Sequence, residues 1–347
     1  MKMVLKLSDS VSAIPDPTDD IREQLLSEDM ERFFEMLMEA LEPQKPYLTK
    51  VEYELYRRGK KLRPMLLLLS ARMMLGPQAA LSKKVIQGAV SLEMLHVATL
   101  IHDDIVDHAL LRRGLDSVNA ARGTEKAVII GDMQFVQAIR GFVDAIDTQQ
   151  DMNLVKLVLD TAFRICCGEL DELDTDPTWH TKQLVSKYME TIERKTAVLF
   201  GLACESGISL AAGRTGETRR GGFYGRRVGR AFQIMDDLLD FSHSGASAGK
   251  TRGMDLRHRR LSLPLIYAME ELGGEHIVSR IMRGADYTEG DIDYGIKEVM
   301  FTSAYARAYV DARTQALEAA EYLRPFPQNR YRKALEQLSL HVVNRGF

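Results

Sequence analysis

Two short acidic signatures, each closing an apolar run, constrain this chain more than anything else in it. The first lies in His96-Val-Ala-Thr-Leu-Ile-His-Asp103-Asp104-Ile-Val-Asp107 and is followed by Arg112-Arg113-Gly114. The second is Phe232-Gln-Ile-Met-Asp236-Asp237-Leu-Leu-Asp240. Both read Asp-Asp-x-x-Asp, and their first aspartates stand 133 positions apart. On an α-helix Asp103 and Asp107 share a face, with Asp104 about 100° away. One such match alone reads as a solvated helix end. At the aspartate frequency of this chain about 0.1 matches arise by chance, so two point to a shared site. Carboxylates this crowded need cations between them. Hard oxygen donors with little else around them suit Mg²⁺, which binds through carboxylates together with substrate phosphates. The arginines that follow match those phosphates bidentately.

Two helices can share such a site only by facing one cavity, so the expected architecture is all-α, a single helical bundle around a central cavity. The rest of the chain agrees. From Ile21 onward Leu25, Leu26, Met30, Phe33, Phe34, Leu37 and Leu41 recur at three- and four-residue steps, and Pro43 and Pro46 stop that helix. Residues 1–20, with Pro15, Pro17, Asp16, Asp19 and Asp20, read as a flexible lead-in, leaving 21–347 as one domain. Apolar residues make up 45% of the chain, enough for a sizeable core, and a net charge of −3 gives no footprint for nucleic acid. Three cysteines, Cys166, Cys167 and Cys204, form neither a disulfide framework nor a zinc pattern and read as core residues. No uninterrupted apolar run approaches the roughly 20 residues that span a bilayer, and the first residues do not make a signal peptide. A cytoplasmic protein with no transmembrane segment is the expectation.

Two weaker features lie near the first signature. Arg58-Gly59-Lys60-Lys61-Leu62-Arg63-Pro64 is a basic cluster opening an apolar helix, a plausible anion site but on its own more simply a solvated loop. His96, on an apolar face, reads alone as a satisfied core histidine.

Taken in order, the motifs resemble those of the trans-isoprenyl diphosphate synthases, the polyprenyl synthetase family, and most of all its medium- and long-chain members. The likeness runs through Gly59-Lys-Lys-Leu-Arg-Pro, Leu95-His96, the first aspartate motif, Gly131-Asp132, Gly168-Glu169, Lys195-Thr196-Ala197, Phe232-Gln233, the second aspartate motif, Gly249-Lys250, Asp255-Leu256 and Leu263-Pro264-Leu265. The resemblance implies the isoprenoid synthase type of bundle. It also implies head-to-tail condensation of an allylic diphosphate with isopentenyl diphosphate to an all-trans product. By that likeness Asp103, Asp104, Asp107, Asp236, Asp237 and Asp240 hold roughly three Mg²⁺ ions on the allylic diphosphate. Arg112, Lys195 and Lys250 match cations on the same leaving group. Lys60, Arg63, His96 and Arg113 match the metal-free isopentenyl diphosphate site. Thr196 and Gln233 match polar groups facing the developing allylic cation, and a homodimer is implied.

The chain also departs from the family pattern. Arg58 stands where a glycine is usual, Arg260 near a usual lysine, and Gln134 and Gln137 enter a normally apolar helix. Glu172 replaces a usual glutamine and reads as part of an exposed acidic helix end. A class I terpene cyclase is less apt, because the second motif is Asp-rich and the isopentenyl-site residues are present. A non-catalytic subunit of a heteromeric synthase would be expected to have lost one aspartate motif, and both are intact. Ala98 and Thr99, about 6–7.5 Å below Asp103 along the helix, are small where early-stopping members carry aromatic floors. The expected product therefore has at least about twenty carbons.

Overall fold

The computed structural model describes residues 17–112, 114–146, 148, 151–242 and 252–344. Residues 1–16 of the lead-in, Arg113 and Lys250 lie outside the described residues. Pro17–Asp20 is already a helical turn, continued by a π-helical turn at Ile21–Leu25. The principal helices are α1 (Ser27–Leu41), α2 (Lys50–Arg57), α3 (Leu62–Leu75), α4 (Lys83–Val106), α5 (Thr124–Asp144), α6 (Asp151–Leu173) and α7 (Thr181–Ile192). They are followed by α8 (Val198–Leu210), α9 (Thr215–Phe241), α10 (Leu263–Leu272), α11 (Glu289–Phe301), α12 (Ala304–Leu323) and α13 (Arg330–Asn344). Among the described residues the only sheet is a two-residue hairpin, β1 (Leu111–Arg112) with β2 (Leu115–Asp116). One hydrophobic cluster runs from Ile21 to Val343, so the helices share a core.

The central helix is α4. It packs along α5 on one side and against α3, α8 and α1 on others, which explains why it is apolar on nearly every face. By length and composition alone it would cross a bilayer, contrary to the expectation drawn from uninterrupted apolar runs, which miss a helix whose few polar residues are scattered. However, 72% of its most apolar window is buried inside the protein, as befits a core helix.

Glycine sets the distance between α8 and α9. A Cβ on Gly225 would stand 2.3 Å from the Phe200 carbonyl oxygen, and one on Gly229 would stand 2.6 Å from the Ala197 Cα. Gly225, Gly229, Gln233 and Asp237 follow one another at four-residue steps and so share the face of α9 laid on α8. The contact that joins the two helices therefore also delivers the second aspartate motif to the first residues of α8. Gly168 does the same on the other side. A Cβ there would come 2.6 Å from the Lys195 amide nitrogen, so α6 is drawn onto the turn that carries Lys195.

Gln134, an oddity in the sequence, is fully buried yet satisfied. Its carbonyl accepts from the Tyr56 hydroxyl at 2.5 Å and its amide donates to Gln44 at 2.6 Å, tying α5 to the N-terminal segments. Buried polar groups are tolerated on that condition. Of the cysteines only Cys204 is buried; Cys166 is exposed and Cys167 half-buried, so the core expectation holds for one of three.

Because no rotamer relieves a Cβ pressed on backbone, Gly225→Ala should cost about 1–3 kcal/mol, as overpacking does. Gly216→Ala, with open space around its Cα, should be neutral or slightly stabilising. Urea denaturation of both variants checks this, and equal midpoints would contradict it.

Candidate active site

Helix α4 presents His96, Thr99, Leu100, Asp103 and Asp107 along one stripe, and these line a cavity of about 670 Å³. Across it α9 presents Phe232, Gln233, Asp236 and Asp237; α6 presents Ile165, Glu169 and Glu172; the turn before α8 presents Lys195 and Thr196. Lys60 and Arg63, at the start of α3, close one end. The main chain reaches α3 through left-handed conformations at Gly59 (φ 89°) and Lys61 (φ 55°). Lys61 itself is buried and paired with Glu93 at 3.0 Å.

Most of the expected residues therefore converge, but three do not line the cavity. Asp104 faces the core side of α4 and is held by Arg112, whose Nε and Nη2 donate to Oδ1 at 2.9 and 2.5 Å. The hairpin that follows α4 positions Arg112 for this, with Gly114 at φ 76° in its loop. Asp240 accepts instead from the backbone amides of Met254 and Asp255, both at 3.0 Å, and so caps the short helix Met254–Arg257. Ala98 is fully buried against the core, while Thr99 alone of that pair reaches the cavity.

Lys195 and Thr196 owe their placement to a break in helical geometry. Helix α7 does not run smoothly into α8; residues Glu193–Ala197 form a π-helical turn. Such bulges widen the helix locally and recur at functional sites. Glu193 anchors this turn, accepting from Arg230 at 2.8 Å with Arg226 nearby at 3.7 Å. Lys195 then lies between Glu169 at 2.7 Å and Glu172 at 2.8 Å. Glu172 is thus a cavity residue with a partner, not the exposed helix end read from the sequence. Arg260 also faces the cavity and is ion-paired with Asp107, spanning from the segment after the second motif to the last aspartate of the first.

The carboxylates outweigh what these cations neutralise. Burial raises Asp103, and Asp107 raises it further, although Lys195 and Arg112 pull the other way. Burial, together with the Asp103 charge, pushes Glu169 up to about 8 despite Lys195. Asp237 is pushed to about 7, first by burial and then by Asp236, against the hydrogen bonds it accepts. Carboxylates crowded in this way are what a divalent cation would stabilise in their charged form and bind. Among the described residues no three acidic, histidine or cysteine side chains already converge on one point. The donor set accordingly suits an ion that keeps waters and takes ligand phosphate oxygens, as Mg²⁺ does.

Sequence reasoning passed over Tyr188 and quoted Glu169 and Asp255 within motifs without giving them a role, yet all three line the cavity. Tyr188 precedes Lys195 by seven residues, a helical repeat that is its only signal. At the other end Arg63 Nη1 lies 3.0 Å from His96 Nε2, and its guanidinium stacks 4.6 Å from the centre of the Phe200 ring.

Comparison with known proteins gives a consistent result. The pattern that defines the family described as polyprenyl synthetase matches residues 44–299. The chain is 28% identical over 323 residues to heptaprenyl diphosphate synthase component 2 of Geobacillus stearothermophilus, covering 93% of this chain and 97% of that one. It is 30% identical over 343 residues to geranylfarnesyl diphosphate synthase of Natronomonas pharaonis, covering 94% and 98%. The crystal structure of a polyprenyl synthase from Caulobacter crescentus, complexed with calcium and isoprenyl diphosphate, superposes with a TM-score of 0.83 at 27% identity, over 94% of this chain and 98% of that one.

The raised carboxylates predict a pH dependence. A group whose folded pKa exceeds its unfolded value contributes stability that is complete below the unfolded value and is lost as pH rises through the folded one. For Glu169 that window runs from about 4.5 to about 8. Metal-free protein should lose stability to urea as pH rises through this window, and Glu169→Gln should flatten the trend. A midpoint that climbs with pH would contradict it.

Proposed function

The chain belongs to the polyprenyl synthetase family, and on that premise we propose that this cavity joins an allylic diphosphate to isopentenyl diphosphate, head to tail. The observation that carries the reading is the meeting, in one cavity, of carboxylates from both aspartate motifs with Lys60, Arg63, Lys195 and Arg260. Asp103, Asp107 and Asp236 would hold a Mg²⁺ cluster on the allylic diphosphate. Bound there, Mg²⁺ neutralises charge building on the leaving diphosphate, an effect worth several kcal/mol.

The remaining steps fall to the chain's own residues. Lys195, released from Glu169 and Glu172, and Arg112 would bind the same leaving group, and Arg260 extends that set from the opposite wall. Lys60, Arg63 and His96 would hold isopentenyl diphosphate without metal, since its diphosphate does not depart. Thr196 and Gln233 would turn oxygen toward the allylic cation as it forms. The leaving diphosphate accepts the final proton, so no side-chain nucleophile is needed.

Oligomeric state is part of the proposal. Helix α5 exposes Ile129, Val136 and Val143 at seven-residue steps, and α6 exposes Leu159, Phe163 and Leu170. An exposed apolar stripe of this length marks an interaction face, and a second copy of the chain is the occupant proposed. The second reading, a subunit dependent on a different chain, draws on the relative named as a synthase component. The purified chain alone decides between them. It should sediment as a dimer and turn over an allylic diphosphate with isopentenyl diphosphate and Mg²⁺. Chelation should abolish turnover, and Asp103→Asn or Asp236→Asn should lower kcat by several orders of magnitude, following from several kcal/mol of lost transition-state stabilisation. Full activity in excess chelator would sink the metal reading, and inactivity rescued by a second protein would favour the subunit.

Product length follows from the same stripe of α4. A tail growing away from Asp103 passes Thr99 first, one helical turn or about 6 Å below it. With a small residue there, a product of at least about twenty carbons is proposed. Thr99→Phe should shorten it toward about fifteen carbons while leaving the first condensation intact, as read by chromatography of the dephosphorylated product. Ala98→Phe should instead act on stability, because Ala98 packs into the core. Unchanged product from Thr99→Phe would place the floor elsewhere.

A further inference from the structure

We propose that Tyr188 and Asp237 are a positioning pair, fixing the direction of the hydrogen-bond chain that ends at Thr196, and that Asp237 acts in this way and not as a metal ligand. The inference rests on the reading of the cavity given above and goes beyond it.

The two leading aspartates of the second motif differ in their surroundings. Asp236 is exposed to the cavity, whereas Asp237 is 8% exposed and bonded to Tyr188 on α7. Both Asp237 oxygens are engaged. Oδ2 accepts from the Tyr188 hydroxyl at 2.6 Å, and Oδ1 accepts from Gln233 Nε2 at 2.9 Å. Each oxygen keeps a second lone pair, but the two bonds turn the carboxylate toward Tyr188 and Gln233.

Ionised Asp237 gives the chain its direction, because a carboxylate can only accept. Asp237 therefore turns the Gln233 amide nitrogen toward itself and the Gln233 carbonyl toward Thr196. The Thr196 hydroxyl donates to that carbonyl at 2.8 Å. With its one proton committed, Thr196 shows the cavity oxygen lone pairs only, which suits a position where positive charge develops. If Gln233 were released, its amide could turn over, Thr196 would accept from it, and a hydroxyl proton would face the cation. Tyr188, on α7, closes the other end of the chain and keeps Asp237 from swinging toward the cavity.

The test separates turnover from metal binding. Tyr188→Phe keeps the ring and removes only the hydroxyl. Its kcat should fall about 10- to 100-fold, the usual cost of losing an outer-shell orienting group. KM for both substrates should stay within about twofold, because substrate diphosphates do not meet this chain. Calorimetric titration of inorganic diphosphate in Mg²⁺ should give wild-type affinity within about twofold for Tyr188→Phe and Asp237→Asn, against at least about a tenfold loss for Asp236→Asn. Asp237→Asn, which keeps an acceptor oxygen, should retain more turnover than Asp237→Ala. Diphosphate affinity falling in Asp237→Asn as far as in Asp236→Asn would overturn the proposal, as would a wild-type kcat in Tyr188→Phe. Absence of Mg²⁺-dependent diphosphate binding by the wild type would overturn the reading of the cavity and this inference with it.

Discussion

The separation of α8 and α9 is the constraint on which the rest of the structure depends. Where Gly225 meets the Phe200 carbonyl and Gly229 meets Ala197, the helices lie closer than any side chain permits. That contact determines how far the second aspartate motif stands from Thr196, from Lys195 and, across the cavity, from Asp103. Packed interiors transmit such displacements because they hold few voids. A shift at Gly225 is therefore felt three turns along α9, where the charged groups are. Gly168 plays the same part for α6, and between them the glycines bring three separately encoded helices to one turn of π-helix.

That turn is where regular geometry yields to chemistry. An unbroken helix from Thr181 to Leu210 would send Lys195 and Thr196 to positions set by 3.6 residues per turn. The π-turn rotates them out of that register, and Glu193, with arginines on α9, holds the irregularity in place. Strained or irregular backbone persists where surrounding contacts over-determine it. Here those contacts are ion pairs behind the site, while the functional side chains point forward.

Much of this was legible in the sequence, and what was not has identifiable causes. The all-α bundle followed from apolar spacing, and the meeting of two aspartate motifs followed from their duplication. Within each motif, though, spacing alone cannot say which carboxylate faces the cavity. Asp104 and Asp240 look equivalent to their neighbours until the hairpin delivers Arg112 to the one and the Met254–Arg257 turn sets its amides over the other. Glu172 misled for the opposite reason, since an acidic run on a helix end is usually solvated and its partner Lys195 lies 23 residues away. Arg260 was legible as a positive charge but not as the partner of Asp107, because that pairing crosses 153 residues of chain. Tyr188 carried no signal beyond a helical repeat, since a tyrosine on an apolar face is ordinary core.

The resting cavity supplies its own counter-ions. Asp104 holds Arg112, Asp107 holds Arg260, and Glu169 and Glu172 hold Lys195. A lone anion entering beside the first aspartate motif meets cations already engaged, and a lone divalent cation there meets carboxylates that already hold partners. A ligand that brings both signs together can exchange every pair at once, metal to carboxylate and phosphate to guanidinium or ammonium. The cavity thus works as an ion exchanger loaded with its own salt. A simple phosphate would have to break these pairs without returning a partner to either side.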